Sequence, residues 1–299
     1  MELKVIAVLG RSYCGSSILN LVLGSHSCTF GAGELYRTVM RPDKAYCAIC
    51  RGHCSVWTPD TIQRLNLDNV YETLAKRTGA DTIIDSSKVP GWFSKAMNAR
   101  TNVEFIPTLL VKHPLRHISS FVANQFFRDE SLPHRDAPET RQRLLSFANE
   151  QLRKTLQAYT RILDNPTFQP HGPVRILAYE SFVADPDSAL KPTLNAAGLE
   201  FEPRMLEYLK QEHHPVGGNT GAHLQLRLQG KFEKQARHWI EHSNPDRSWR
   251  RYYAGTAAAG LNIDDKFRET LREEEVSAIL AQVDYQRLCA MLGYQEKIV

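Results

Sequence analysis

The chain has 299 residues, 42% of them hydrophobic and 23% charged, with a formal net charge of +4 at pH 7. That mild positive balance favours anionic ligands only weakly, and with no long basic block and no apolar run of membrane-spanning length it excludes a nucleic-acid arm and a transmembrane helix. Six cysteines, with Cys14 and Cys289 isolated at opposite ends, exclude a secreted disulfide scaffold.

A strand that begins within five residues of Met1 leaves no room for a signal peptide, so a soluble, cytoplasmic protein is expected. The length fits one α/β domain over 1–299 with a helical C-terminal part.

Val5 to Leu9 is an apolar run that reads as a buried strand. Gly10 to Gly15 reads as a tight turn, and Ser16 to Leu23 as a helix with Ile18, Leu19, Val22 and Leu23 on one face. The string G-R-S-Y-C-G-S-S has the spacing of the phosphate-cradling pattern G-x-x-x-x-G-K-[ST], with Ser16 in the lysine's place. Glycines at both ends let backbone N–H groups converge on one point, and the helix that follows aims the positive end of its dipole there. The missing lysine argues against an ordinary ATPase, while the hydroxyls of Ser16 and Ser17 can still donate to a single terminal phosphate. A glycine-rich turn with a serine helix cap is the plainer alternative.

Ser25 to Arg41 reads as a loop, with a short strand at most, returning over the mouth of the first turn. Cys47, Cys50 and Cys54 follow, spaced x2 and x3. With His53 or Cys28 as a fourth ligand they can hold zinc. The second pair that would make such a site recognisable is missing, so a reduced, partly buried cysteine loop without metal is the preferred expectation.

Further along, a helix is predicted from Asn69 to Thr78, stopped by Gly79. The strand Thr82 to Ile84 delivers Asp85-Ser86-Ser87-Lys88, and Pro90 opens a helix through Ala99. The strand Thr108 to Val111 delivers Lys112-His113-Pro114 ahead of a helix from Leu115 to Arg128. Glu139 to Asp164 is a long amphipathic helix. The strand Val174 to Leu177 leads through Tyr179-Glu180-Ser181 to a helix from Asp185 to Ala197, with Gly198 as its stop. A short helix, Pro203 to Leu209, precedes the glycine-rich stretch His213 to Arg227, which reads as a lid or ligand loop. From Asp264 on the period is helical, with Val276, Ile279, Leu280, Val283, Leu288 and Leu292 as the buried face.

Strand and helix alternating four times imply a three-layer α/β fold around a mostly parallel, doubly wound sheet, like that of P-loop NTPases, with ligands beyond the carboxyl ends of the strands. The polar clusters at those ends therefore converge on one crevice. In L-V-K-H-P-L-R-H-I-S-S-F, Lys112 at the strand end and Ser120 on the next helix can hold a second phosphate by charge and hydroxyl.

These two clusters, in this order, resemble the sulfotransferases that use 3′-phosphoadenosine-5′-phosphosulfate (PAPS). The family's 5′-phosphosulfate loop, [RK]-S-G-[ST]-[ST]-L-L, is matched by Cys14-Gly15-Ser16-Ser17-Ile18-Leu19, and its 3′-phosphate motif, R-x-P-R-x-x-x-x-S, by Lys112, Pro114 and Ser120. Lysine replaces the first arginine, and Leu115 stands where the second belongs. Other segments look like bacterial members: Gly33 to Leu35, the cysteine loop ending in Trp57, Ile84 to Lys88, Tyr179 to Pro186, Gly217 to Asn219 and, more weakly, Pro245 to Arg250. The family's basic residue falls on Tyr13 here, which leaves Arg11 or Lys88 to supply that charge.

The resemblance implies that Tyr13, Cys14, Gly15, Ser16, Ser17 and Ile18 hold the 5′-phosphosulfate, that Lys112 and Ser120 hold the 3′-phosphate, and that Gly218 and Asn219 lie in a loop closing over the nucleotide. It implies sulfuryl transfer to a hydroxyl or amine of a small-molecule, glycan or lipid acceptor, no metal requirement, and 3′-phosphoadenosine-5′-phosphate as product. Glu34 is the candidate base, with His113 and His117 behind it, and Lys88 and Arg11 are the candidates for stabilising developing charge. Asp85 is expected to fix its loop by hydrogen bonds. The alternatives are a P-loop kinase-like phosphotransferase and a degenerate nucleotide- or glycan-binding protein.

Overall fold

The computed structural model describes residues 2–50, 53–100, 102–129, 131–228, 233–234, 261 and 267–295. Strands β1 (Leu3–Leu9), β2 (Thr29–Gly33), β3 (Thr82–Lys88), β4 (Val103–Val111) and β5 (Arg175–Ala178) form one sheet in the order β2-β3-β1-β4-β5. Each neighbouring pair is parallel, as the strand and helix alternation implies. Helices flank the sheet, giving the expected doubly wound, P-loop-like α/β fold. Central β1 is apolar throughout its second half because both its faces are covered, and Val5 to Leu9 are fully buried.

Local signals set most helix ends. Helix α1 is Ser16–Leu23, and α2 is Leu35–Met40, a helix where sequence alone suggested a loop. Helix α3 is Pro59–Arg64, and α4 is Val70–Thr78, closed by Gly79 in the left-handed region. Proline at the first turn opens α5 (Pro90–Ala99), α6 (Pro114–Asn124) and α7 (Pro138–Leu163), where its missing N–H costs nothing. Helices α8 (Tyr179–Ala184) and α9 (Pro186–Ala196) meet at Asp185, whose carboxylate accepts from the Ser188 N–H and caps the second.

Other expectations are corrected. Strand β4 starts at Val103, five residues before the predicted start, because Val103 to Pro107 pairs with Leu3 to Ala7 of β1; Pro107 is tolerated where β5 does not yet pair. Thr220–Leu228 is helix α10, buried from Gly221 on, so the proposed lid shrinks to the residues before it. Pro203 to Leu209 resolves into two short 3₁₀ turns. At the C-terminal end Ile279 and Leu288 are buried, but Val283 is 59% exposed. Pro245 to Arg250 lies outside the described residues. Among the described residues no helix is long and apolar enough to cross a membrane.

Candidate active site

Strand order reverses at β1, which has β3 on one side and β4 on the other, so the chain leaves the sheet in opposite directions at the carboxyl end of β1, the point at which doubly wound sheets place a ligand crevice. The turn after β1 enters it. Gly15, the N-cap of α1, has φ of 99°, and a Cβ placed on it would lie 2.3 Å from a ring carbon of Tyr179. Only glycine fits there, at the amide end of α1. Cys14 is fully buried behind the turn, and burial pushes its thiol pKa up. Ser16 is buried, and Ile18 packs on the core. Ser17 Oγ accepts a 2.7 Å hydrogen bond from the Asn219 N–H, which leaves its own proton to donate.

Opposite the turn stands the second cluster. Lys112 is 3% exposed, and its Nζ donates to Ser120 Oγ at 3.2 Å. The same ammonium lies 5.4 Å from the centre of the Tyr179 ring. Tyr179 therefore touches both clusters, Gly15 on one side and Lys112 on the other, and places them at one mouth. The only local signal for Tyr179 is its position just after the short strand β5.

A third group comes from β2 and β3. Lys88 ends β3 with φ of 63°, and with Tyr13 (φ 68°) it makes up the non-glycine residues with positive φ among the described residues. Pairing with β1 runs Ala7 to Asp85 and then Leu9 to Lys88, so β3 carries one extra residue. This bulge re-aims the lysine, and strained backbone of this sort clusters at functional sites. Its Nζ donates to Glu34 Oε1 at 2.7 Å and to Ser86 O at 2.9 Å. Arg37 approaches the other Glu34 oxygen at 3.4 Å. Gly217 lies against Glu34 and Gly218 against Ser17, so the segment predicted to close over the nucleotide joins the two groups.

Arg11 is committed elsewhere. Its guanidinium donates to Gln151 O and Gln151 Oε1, each at 3.0 Å, and to Thr155 Oγ1, and it stacks 4.7 Å over Phe121. Tyr13 packs edge-on against the same Phe121. His117 donates from Nε2 to Ser12 O at 2.8 Å, and burial drives its pKa down to about 3, so it braces the turn as a neutral ring. His113 caps α6 through Nδ1, donates from Nε2 to Gln295 O, and has its pKa lowered by burial. Asp85 is fully buried and accepts from Tyr71 Oη, Trp92 Nε1, and the Ser87 N–H and Oγ. With both oxygens so engaged it holds β3 in place. Glu180, another residue without an assigned role, accepts from the His113 N–H and from Tyr294 Oη, tying the β4 turn to the C-terminal segment.

Beside the crevice, Cys47, Cys50 and Cys54 converge with His214. His53 is exposed and Cys28 lies against Ser27, so neither is the fourth member of this cluster.

No protein-family model matches the chain, and no curated protein matches it in sequence. Among solved structures it is similar to the sulfotransferase domain from the curacin biosynthetic pathway, with a TM-score of 0.55 and 17% identity over 99% of both chains. It is also similar to the sulfotransferase domain from the Synechococcus PCC 7002 olefin synthase, with a TM-score of 0.51 and 17% identity over 98% of this chain and 96% of that one. At this identity the likeness establishes the fold: the chain is folded as sulfotransferase domains are.

Proposed function

We propose that the chain is a sulfotransferase that moves a sulfuryl group from PAPS to a hydroxyl or amine acceptor. The observation that supports this reading is that Tyr179 lies against both Gly15 and Lys112, so that the glycine turn at the start of α1 and a buried ammonium share one neighbour. A nucleotide with a phosphate at each end of its ribose presents that charge pattern. Gly15, Ser16 and Ser17 bind the 5′ end, Lys112 and Ser120 bind the 3′-phosphate, and Gly218 and Asn219 close over the nucleotide.

Sulfuryl transfer asks the protein mainly to align donor and acceptor and to neutralise charge on the bridging oxygen. The Glu34 carboxylate takes the acceptor's proton as the acceptor oxygen bonds to sulfur and the bond from sulfur to the 5′-phosphate oxygen breaks. Protonation of Glu34 cancels its attraction for Lys88, 2.7 Å away, and the ammonium then turns to the departing phosphate. Acceptors are small molecules, glycans or lipids, admitted past α2 and the cysteine loop, where Met40 and Tyr46 are exposed.

Transfer of label from PAPS to a panel of acceptors, together with calorimetry of 3′-phosphoadenosine-5′-phosphate against ADP, tests the proposal. Preference for the bisphosphate with turnover is expected. Tighter binding of ADP would point to a kinase-like phosphotransferase, and bisphosphate binding without turnover on any acceptor to a nucleotide-binding protein.

A further inference from the structure

We propose that Cys47, Cys50, Cys54 and His214 form a structural zinc site that fastens the segment carrying Gly218 and Asn219 to the cysteine loop. The three sulfurs and one imidazole nitrogen lie within 4.8 Å of one another, and Nδ1 of His214 is 3.9, 3.4 and 3.4 Å from the sulfurs of Cys47, Cys50 and Cys54. Tetrahedral zinc with its usual bond lengths sets sulfur and nitrogen ligands about 3.6 Å apart, so the three distances describe the corners of such a site. Packing of neutral groups does not account for them. One Nδ1 lone pair can accept one S–H hydrogen, yet three sulfurs converge on it.

The surroundings fit a cation as well. The Cys50 N–H donates to Cys47 Sγ and the Trp57 N–H to Cys54 Sγ, both at 3.4 Å, an arrangement that stabilises sulfur carrying negative charge. His214 Nε2 donates to Glu212 Oε1 at 3.1 Å, which fixes the tautomer with its lone pair on Nδ1, as carboxylate partners do for zinc-bound histidines. Cys47 and Cys54 are buried, Cys50 and His214 half-buried, and four protein ligands would leave no open coordination position, as in structural zinc sites. Binding would release three thiol protons to solvent and form three Zn–S bonds and one Zn–N bond. Three thiolates and an imidazole are a soft set that suits zinc over magnesium or calcium.

The backbone shows what the ion would hold together. Val216 bridges both Cys47 and Gly33, its C=O accepts from the Glu34 N–H at 2.7 Å, and the Ala48 N–H donates to Pro215 O. Two residues further on, Gly218 meets Ser17. Any effect of the metal on nucleotide binding rests on the proposed function; occupancy of the site does not.

The test is metal analysis of the full chain purified without a polyhistidine tag, with absorption spectroscopy after cobalt exchange. About one zinc per chain and a tetrahedral, thiolate-ligated cobalt spectrum are expected. His214→Ala and Cys54→Ser should lower the zinc content and weaken the thiolate-to-cobalt bands, and His53→Ala should leave both unchanged. Should either cluster variant fail to fold, the wild-type stoichiometry and spectrum still decide. Zinc far below one per chain after growth with added zinc, or zinc lost with His53→Ala as readily as with His214→Ala, overturns the proposal. Neither readout needs a sulfuryl donor, so failure here is distinct from failure of the sulfotransferase reading.

Discussion

Glu34 and Lys88 form an ion pair of 2.7 Å at the mouth of the crevice, with side chains 14% and 13% exposed. They come from the carboxyl ends of β2 and β3, strands paired through Gly33 and Asp85, so the contact is set by sheet register. Lys88 reaches it in a left-handed conformation that costs a non-glycine residue about 1–2 kcal/mol. The bulge and the buried Asp85 hold it there.

Glu34→Gln should lower turnover with PAPS about 10²-fold or more, the usual loss for a positioned general base, and leave affinity for 3′-phosphoadenosine-5′-phosphate nearly intact. Steady-state rates paired with calorimetry on the same preparation check this. Undiminished turnover would remove Glu34 from the base role.

Lys112→Ala should weaken the bisphosphate about 10- to 100-fold, the worth of a charged hydrogen bond, and AMP hardly at all. Ser120 keeps its bond to Arg116 O at 3.0 Å in the variant, so the helix it sits on stays in place. Equal losses for both nucleotides would show that Lys112 supports the fold and not the 3′-phosphate.

Much of this was legible because the signals are local. Proline at 90, 114 and 138 marks helix starts, Gly79 marks a stop, and the apolar run at Val5 marks a central strand. The turn after it has its spacing written in two glycines and two serines. What stayed hidden depends on distant partners. Thr220–Leu228 follows two glycines, contains a third at Gly221 and alternates its leucines, so no local period marks the helix that the fold buries there. Val103 to Pro107 is strand because it pairs with β1, and Pro107 is tolerated there because β5 pairs only from Thr108 on. His214 stands 160 positions from Cys54, and no local pattern marks it as the fourth corner of the cysteine cluster. Tyr179 joins the Gly15 turn to Lys112 across 164 positions from Gly15, a contact that no local pattern marks.

The contact between Gly15 and Tyr179 can be weighed against a glycine without such a neighbour. Gly79 also has positive φ, 73°, but open space where a Cβ would lie. Gly79→Ala should therefore cost only the backbone penalty, about 1–2 kcal/mol. Gly15→Ala adds displacement of the ring, about 1–3 kcal/mol more. Urea unfolding of the two variants measures the difference, and equal losses would mean that the ring swings aside without cost.

Acid should expose the role of His117. Burial, with help from Lys112 and Arg11 nearby, holds its pKa near 3 against an ordinary 6.5, even though its bond to Ser12 O works the other way. The unfolded chain binds a proton below pH 6.5 that the folded chain refuses until about pH 3. Stability from this group is thus complete above pH 6.5 and falls through that window at about 1.4 kcal/mol per pH unit. His213, lowered to about 4 by burial, adds a similar slope of its own, so the comparison has to be between wild type and His117→Gln. The variant should lose less stability between neutral pH and the acid limb, by close to one proton's slope. If both proteins follow the same pH dependence, the ring under Ser12 is not the neutral brace described here.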